Sequence, residues 1–124
     1  MYQQLKDVRQ ELTGPGGLFQ VDEVEVRGQM LKTFALAPPS LRDVWLMTAG
    51  FAERDYLLYE DERWTYVDAM AETASIANWV MAQGIQRGDR VAVSMRNYPE
   101  WMLCYWALTS IGVGVVGMNA WWVT

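Results

Sequence analysis

The sequence contains no histidine, and Cys104 is the only cysteine among its 124 residues. The absence of histidine excludes catalytic triads and metal sites that depend on an imidazole, and it removes the side chain that most readily acts as a general base near neutral pH. A single cysteine can form neither an intrachain disulfide nor a thiolate cluster for a metal ion. We therefore expect a protein of a reducing compartment, the cytoplasm.

Positive charge is also scarce in this chain. Ten Lys and Arg residues stand against fifteen Asp and Glu residues, which gives a formal net charge of -5. Proteins that bind nucleic acid usually have a net basic surface or a stripe of Lys and Arg, so nucleic acid is not an expected partner. Residues 1–12 combine charged side chains with no uninterrupted apolar stretch, which does not match a secretory signal peptide.

Charged residues are absent from one long stretch, residues 101–123. On hydropathy grounds this stretch is long enough to cross a bilayer. However, glycines interrupt its centre, no basic cluster flanks it, and three polar side chains lie within it: Thr109, Ser110 and Asn119. We therefore predict that it belongs to a folded domain and not to a membrane span.

The start of the chain predicts a small separate region. Apolar residues at helical spacing indicate a helix over residues 2–12, and a Gly- and Pro-rich linker follows at residues 13–17. Two β-prone runs around residues 27–29 predict a small hairpin. A pair of prolines then ends the region, so we expect domain boundaries at 1–39 and 40–124.

The next part of the chain predicts two helices with a hairpin between them. Ser40 is placed as the N-cap of a helix that reaches about Ala49. A strand, a tight acidic turn and a return strand follow over residues 56–65. Thr65 then caps a longer amphipathic helix that ends at Gly84.

The following residues predict a β-α-β unit. Residues 90–95 form an apolar, β-branched run, typical of a parallel strand that is covered on both faces. Pro99 suits the first position of a helix that runs to about Ile111, and residues 113–118 form a second buried strand. Because such crossovers are nearly always right-handed, the two strands should be neighbours in one parallel sheet. The chain is therefore predicted to be an α/β protein.

Three glycines, Gly112, Gly114 and Gly117, have the spacing of the dinucleotide-binding fingerprint. That fingerprint must follow a strand and open a helix, because the helix amides face the pyrophosphate. Here the glycines follow a helix and lie within a strand. We therefore interpret them as packing positions and not as a nucleotide site.

The predicted helix that begins at Pro99 carries aromatic residues and the cysteine. Trp101, Tyr105 and Trp106 have helical spacing, which is more typical of a core than of a ligand pocket. Cys104 is interpreted as a small buried hydrophobe, because nothing beside it in the sequence would lower the pKa of its thiol. No catalytic role is expected for these residues.

Two loops carry the better candidates for a ligand site. Residues 96–98 follow the first strand of the β-α-β unit, and residues 119–122 follow the second. In open α/β sheets, ligands bind beyond the carboxyl ends of the parallel strands. Alternatively, Asn97 and Asn119 form hydrogen bonds within turns while the tryptophans pack beneath another part of the protein. The residues alone leave both interpretations open.

Several of these segments, in this order, resemble the opening of the adenylate-forming enzymes. That superfamily includes acyl-CoA synthetases, aryl-CoA ligases, luciferases and nonribosomal adenylation domains. The matching segments are Arg-Trp-Thr-Tyr at 63–66, Gly-Asp-Arg-Val-Ala-Val at 88–93, Asn-Tyr-Pro-Glu-Trp at 97–101 and Gly-Met-Asn-Ala-Trp-Trp at 117–122. Gly114 stands where the family frequently has alanine. Three segments further resemble some fatty-acid:CoA ligases, namely residues 24–28, 37–43 and 119–122.

The resemblance implies the N-terminal fragment of a fatty acyl-CoA synthetase, an AMP-dependent acid:CoA ligase. Its expected fold is α/β, a partial doubly wound parallel sheet with one β-α-β unit plus a hairpin and flanking helices. Residues 1–39 would be an N-terminal extension. Residues 40–124 would be the first part of the large N-terminal domain.

The chemistry implied by the resemblance needs ATP, Mg²⁺ and CoA. Family members join a carboxylic acid to AMP and then transfer the acyl group to the thiol of CoA. The resemblance places the phosphate loop, the acidic residues that hold ribose and magnesium, and the mobile lysine beyond Thr124, so no catalytic residue and no bound cofactor is predicted for this chain alone. It places Ala120, Trp121 and Trp122 near the tunnel for the pantetheine arm of CoA.

Two other functions are consistent with the same sequence. One is a freestanding, non-enzymatic α/β module that binds a partner through exposed apolar surface, and the other is an adenylation enzyme that loads a carrier protein. The 124 residues alone are expected to be inactive. They are also expected to self-associate, because an unpaired strand edge and two exposed tryptophans, Trp121 and Trp122, would need a partner.

Overall fold

A computed structural model of the chain describes residues 2–121, and the chain forms two compact units, Met1–Pro39 and Ser40–Thr124. The α-helices of the described residues are α1 (Tyr2–Thr13), α2 (Leu41–Met47), α3 (Tyr66–Ala82) and α4 (Pro99–Ser110). The strands are β1 (Val21–Val26), β2 (Gln29–Phe34), β3 (Asp55–Tyr59), β4 (Glu62–Thr65), β5 (Arg90–Ser94) and β6 (Gly114–Met118).

The first unit consists of the predicted helix and hairpin. Strands β1 and β2 are antiparallel and pair from Val21 with Phe34 to Val26 with Gln29. The turn between them has positive φ at both central positions, and Gly at the second of these adopts φ 79° without a side-chain clash. No residue of α1 is buried. Backbone hydrogen bonds and local contacts are therefore what define this unit.

Helix α2 begins as predicted but ends earlier. Ser40 is its N-cap, and its side chain accepts a hydrogen bond from the Asp43 amide at 3.2 Å. The α-helix stops at Met47, close to the predicted end near Ala49, and the chain continues as a short 3-10 helix, Thr48–Phe51. The Thr48 hydroxyl donates to a helix carbonyl at 2.6 Å, and such a bond competes with the regular pattern of the last turn.

The β3–β4 hairpin leads directly into α3. Tyr59 pairs with Glu62, so the turn is only two residues long. Thr65 and Asp68 form a capping box: the Thr65 side chain accepts from the Asp68 amide, and the Asp68 carboxylate accepts from the Thr65 amide. This reciprocal bonding satisfies two free amides at the start of α3, which confirms the predicted cap.

The β-α-β unit has the predicted topology. Strands β5 and β6 are parallel neighbours, with Val91 opposite Val115, and α4 forms the crossover between them. Gly112 ends the crossover with φ 78°, and a Cβ atom there would lie 2.8 Å from the side chain of Arg87. Glycine is therefore required at this position for both backbone and space.

Two apolar clusters form the core of the second unit. The first lies between the sheet and the helices and contains Val80, Val93, Leu108 and Val113. The second lies between α2, α3 and α4 and contains Trp45, Ala69 and Leu103.

Aromatic residues of α4 extend this core, as predicted. The ring of Trp106 stacks on that of Trp45 with centroids 5.0 Å apart, and its indole N–H donates to the Tyr56 hydroxyl at 2.6 Å. Trp101 stacks on Tyr105 at 5.7 Å and packs against the first cluster. Burial raises the pKa of Tyr56, and the hydrogen bond from Trp106 partly opposes that rise.

One expectation about the sheet is wrong. Helices cover the face of β5 and β6 that carries Val91 and Val93, but within residues 40–121 no other element covers the opposite face. We name this opposite face the open sheet face; it carries Ala92, Ser94, Val116 and Met118. The apolar run of β5 predicts burial on both faces, but covering the second face needs a layer that residues 40–121 do not supply. Within the same residues, no helix is both long enough and apolar enough to cross a membrane.

Candidate functional site

The carboxyl ends of β5 and β6 lie side by side. Ser94 and Met118 form the last pair of the parallel ladder, so the loops that follow both strands leave the sheet at the same edge. Residues 95–98 connect β5 to α4, and residues 119–121 follow β6. The sheet therefore brings together the two loops that the sequence analysis identified.

The loop after β6 is organised by a turn. The side-chain carbonyl of Asn119 accepts a hydrogen bond from the Trp121 amide at 2.9 Å, which is an Asx turn. Asn119 therefore has the turn role that the alternative interpretation gave it. The turn leaves Ala120 exposed, and the Trp121 side chain is 67% exposed.

A cation–π contact joins the two loops. The guanidinium carbon of Arg96 lies 3.7 Å from the centroid of the Trp121 ring. An arginine over an indole face at this distance is an attractive contact that restricts both side chains. Both loops were predicted from the sequence, but this contact between them was not. The available signal was an Arg two residues after β5 and a Trp three residues after the neighbouring strand β6.

An open cleft of about 560 Å³ lies between these loops. Its walls include Met95, Trp101 and Met118, which are apolar, together with the Arg96–Trp121 pair. The exposed side chain of Asn97 also lines the cleft, and it has no hydrogen-bond partner within residues 2–121. The cleft thus combines a flat aromatic surface, one positive charge and one free amide.

The predicted site residues are only partly within the described range. Ala120 and Trp121 line the cleft, whereas Trp122 lies outside the described residues. The three glycines with the spacing of the dinucleotide-binding fingerprint lie where the sequence predicted them, after a helix and within a strand. Gly112 follows α4, and Gly114 and Gly117 lie within β6. No helix amides therefore point from these glycines towards a ligand.

The chemistry available in residues 2–121 is limited. These residues contain no group of three or more His, Cys, Asp or Glu side chains placed to hold a metal ion. Burial and the nearby charge of Glu100 raise the pKa of the Cys104 thiol, which disfavours the thiolate that a nucleophile needs.

Comparisons with known proteins identify the family of this chain. Residues 46–123 match the family model of the AMP-binding enzymes. The chain is 32% identical over 87 residues to crotonobetaine/carnitine–CoA ligase of Salmonella typhimurium, an alignment that covers 65% of this chain and 17% of the relative. It is 29% identical over 77 residues to 2-succinylbenzoate–CoA ligase of Bacillus pumilus, covering 60% of this chain and 16% of the relative.

Solved structures show the same fold. O-succinylbenzoate coenzyme A synthetase of Bacillus subtilis matches with a TM-score of 0.59 and 30% identity, covering 64% of this chain and 18% of that one. The N-terminal subdomain of NpsA from Klebsiella oxytoca matches with a TM-score of 0.65 and 22% identity, covering 68% of this chain and 22% of that one. The chain therefore spans roughly a sixth of the length of the curated relatives, at 17% and 16%. On the evidence of the family match and the fold, the chain belongs to the AMP-binding enzymes of the adenylate-forming superfamily and corresponds to part of their N-terminal subdomain.

Proposed function

We propose that this chain works as part of a longer acid:CoA ligase. The enzyme would activate a fatty acid with ATP and Mg²⁺ as an acyl-adenylate and would transfer the acyl group to CoA in the cytoplasm. Two curated relatives are CoA ligases, which supports the CoA acceptor. The segments at 24–28, 37–43 and 119–122 support a fatty acid as the substrate, and residues 1–39 would form an N-terminal extension of the enzyme.

The observation that carries this proposal is the Arg96–Trp121 pair beside the cleft. The pantetheine arm of CoA is a narrow, uncharged chain with amide groups, and a flat indole beside a free amide is a suitable wall for it. Ala120 is small, so a chain could pass close to the backbone at that point. We therefore propose that Ala120, Trp121 and Trp122 form one wall of the pantetheine tunnel.

Nucleotide and magnesium are proposed to bind elsewhere in the enzyme. Residues 2–121 lack a cluster of acidic side chains placed for a metal, so they do not fit Mg²⁺. Their glycine-rich segment is a strand and does not cradle phosphates. The proposed contribution of this chain is to position the CoA arm and to support the sheet, and the 124 residues alone would make no acyl-adenylate.

The tunnel wall can be tested in the full-length ligase with a matched pair of tryptophan variants. Trp121→Ala is expected to raise the KM for CoA about tenfold or more with little change in the KM for ATP, and the predicted effect of Trp122→Ala is similar. Trp79→Ala is the control, because Trp79 is 64% exposed and lies on α3, away from the cleft. Equal losses for CoA, acid and ATP in Trp121→Ala would indicate a packing role and contradict the proposal.

The substrate class is tested by the acids and acceptors that the enzyme uses. Fatty acids of increasing length should give AMP and a CoA thioester faster than crotonobetaine or 2-succinylbenzoate. Release of AMP only with a carrier protein, and never with CoA, would favour the carrier-loading alternative. No AMP release with any acid would favour the non-enzymatic module.

A further inference from the structure

A second cavity lies between α2, α3 and the end of α4. Its volume is about 330 Å³, which is at the lower end of the range for cavities that hold small ligands. It lies near the end of α4, just before the chain enters β6, whereas the candidate cleft lies where β6 ends. The two sites share no lining residue.

The walls of this cavity are mainly apolar and adaptable. Met70 and Met81 contribute flexible thioether side chains from α3, and Ala74 and Ala77 leave space between them. The buried ring of Trp45 closes one side. Such a lining suits the aliphatic part of a ligand.

Two hydroxyl groups in the lining have no partner. The oxygens Thr73 Oγ1 and Ser110 Oγ are shielded from solvent, and neither forms a hydrogen bond within residues 2–121. Thr73 is only 3% exposed. By contrast, the hydroxyl of Thr109, the neighbour of Ser110 on α4, donates a hydrogen bond to the backbone carbonyl of Tyr105 at 2.7 Å. An unpaired buried hydroxyl opposes folding, and because neither oxygen is accessible from the open cavity, the two mark a part of the wall that would have to move before a ligand could bind them.

A guanidinium with free donors lies in the same lining. Arg42 donates one hydrogen bond, from Nη1 to the Ser110 carbonyl at 3.1 Å, and it forms no salt bridge with any carboxylate of residues 2–121. Its remaining N–H groups are geometrically suited to a carboxylate. Asn78 adds an exposed amide to the lining.

From this arrangement we propose that the cavity binds a small amphipathic carboxylate. The carboxylate group binds Arg42, and the aliphatic chain lies between Met70 and Met81. This site is separate from the candidate cleft, and the inference does not rest on the proposed ligase function.

The first test uses octanoate as the probe and the 124-residue chain labelled at its methionine methyl groups. Saturable chemical-shift changes are expected at Met70 and Met81, with none at Met95 and Met118 beside the candidate cleft. Octanol has a similar chain without the charge, so it is expected to bind about tenfold more weakly. Changes centred on Met118, or shifts that do not saturate, would overturn the proposal.

Variants of the chain then separate the contribution of the Arg42 charge to octanoate binding from the contribution of the cavity volume. Arg42→Gln is expected to weaken octanoate about tenfold and to leave octanol unchanged. Ala74→Leu fills the cavity and should abolish both interactions, whereas Ala71→Leu, an exposed position on the same helix outside this cavity, should change neither. Equal octanoate affinity in Arg42→Gln and the unmodified chain, or equal effects of the two leucine variants, would overturn the proposal.

Removing the unpaired hydroxyl of Thr73 gives a further test of octanoate binding. Thr73→Val keeps the shape of the side chain but removes the hydroxyl, so octanoate should bind severalfold more weakly while the thermal midpoint of the ligand-free chain does not fall. A variant that unfolds at a lower temperature and binds octanoate normally would show that the hydroxyl serves the fold and would contradict its assignment to the ligand.

Discussion

The two units of this chain contain similar elements but are stabilised in different ways. Each has a helix and an antiparallel hairpin, yet no side chain of residues 2–39 is buried, while every buried apolar side chain of the described residues lies after residue 40. Leu5 on α1 is 64% exposed, whereas Leu103 on α4 is 2% exposed. The comparison shows that local hydrogen bonding suffices to define an element, but burial of its apolar face is what anchors it.

The first prediction tests this contrast with the same substitution in both units. Leu103→Ala should lower the free energy of unfolding by about 2 to 5 kcal/mol, because it leaves a cavity between Trp45 and Ala69. Leu5→Ala should change it by less than about 0.5 kcal/mol, because the side chain is already exposed. Denaturant unfolding followed by far-UV circular dichroism measures both, because the helices of both units contribute to that signal, whereas every tryptophan lies after residue 40. Similar losses in the two variants would mean that α1 is packed as firmly as α4.

The second prediction concerns the open sheet face and the free strand edge. An uncovered apolar face beside an unpaired edge favours association, so the 124-residue chain should self-associate, burying on the order of 1,200 Å² or more. Val116→Lys on the open sheet face should raise the dissociation constant more than about tenfold. Val67→Lys is the control, since Val67 is similarly exposed, 48% against 41%, but lies on α3. Light scattering measures the association, and a monodisperse monomer at high micromolar concentration would contradict it.

The third and smallest effect concerns the capping box of α3. Thr65→Ala should cost about 0.5 to 2 kcal/mol of stability, because the Asp68 amide at the start of the helix loses the side-chain oxygen that accepts its hydrogen bond. Hydrogen bonds from the Thr65 side chain and backbone lower the pKa of the Asp68 carboxyl. The stabilisation by Asp68 is therefore fully present above the ordinary carboxyl pKa and is lost as the pH falls through the lowered value.

Acid unfolding measures that dependence. Stability of the unmodified chain should fall between about pH 5 and pH 2 more steeply than that of Asp68→Asn, which lacks the titrating group. Asp61→Asn, in the exposed β3–β4 turn, serves as the control and should retain the steep fall. If the stability of the unmodified chain and that of Asp68→Asn fall equally as the pH is lowered, the stabilisation by the capping box does not depend on pH.

Features encoded within a few neighbouring residues were predictable from the sequence. Ser40 and Thr65 mark the helix starts because a capping side chain bonds to an amide only three residues away. The parallel pairing of β5 and β6 was predictable because a single helix separates two apolar runs. The 3-10 helix after Met47 was not, since it reflects a competing hydrogen bond from Thr48 that composition does not reveal.

Features that depend on distant parts of the chain were less predictable. Val91 and Ala92 look equally suited to burial, but only one of them meets a helix, and which face is covered depends on long-range packing. The site was predictable as two loops at one edge of the sheet. The contact between Arg96 and Trp121 was not, because it depends on the direction of side chains from different strands.

The β5–α4–β6 crossover also has a consequence for synthesis of the chain. Both strands, their connecting helix and the glycine that ends it lie within one continuous stretch, so their mutual contacts require no residue from elsewhere in the sequence. Contacts that are close in sequence form early, and domains fold progressively as the polypeptide leaves the ribosome. The β1–β2 and β3–β4 hairpins leave the ribosome earlier, so this unit is expected to form after them, with its open sheet face as the surface that a chaperone would shield during translation.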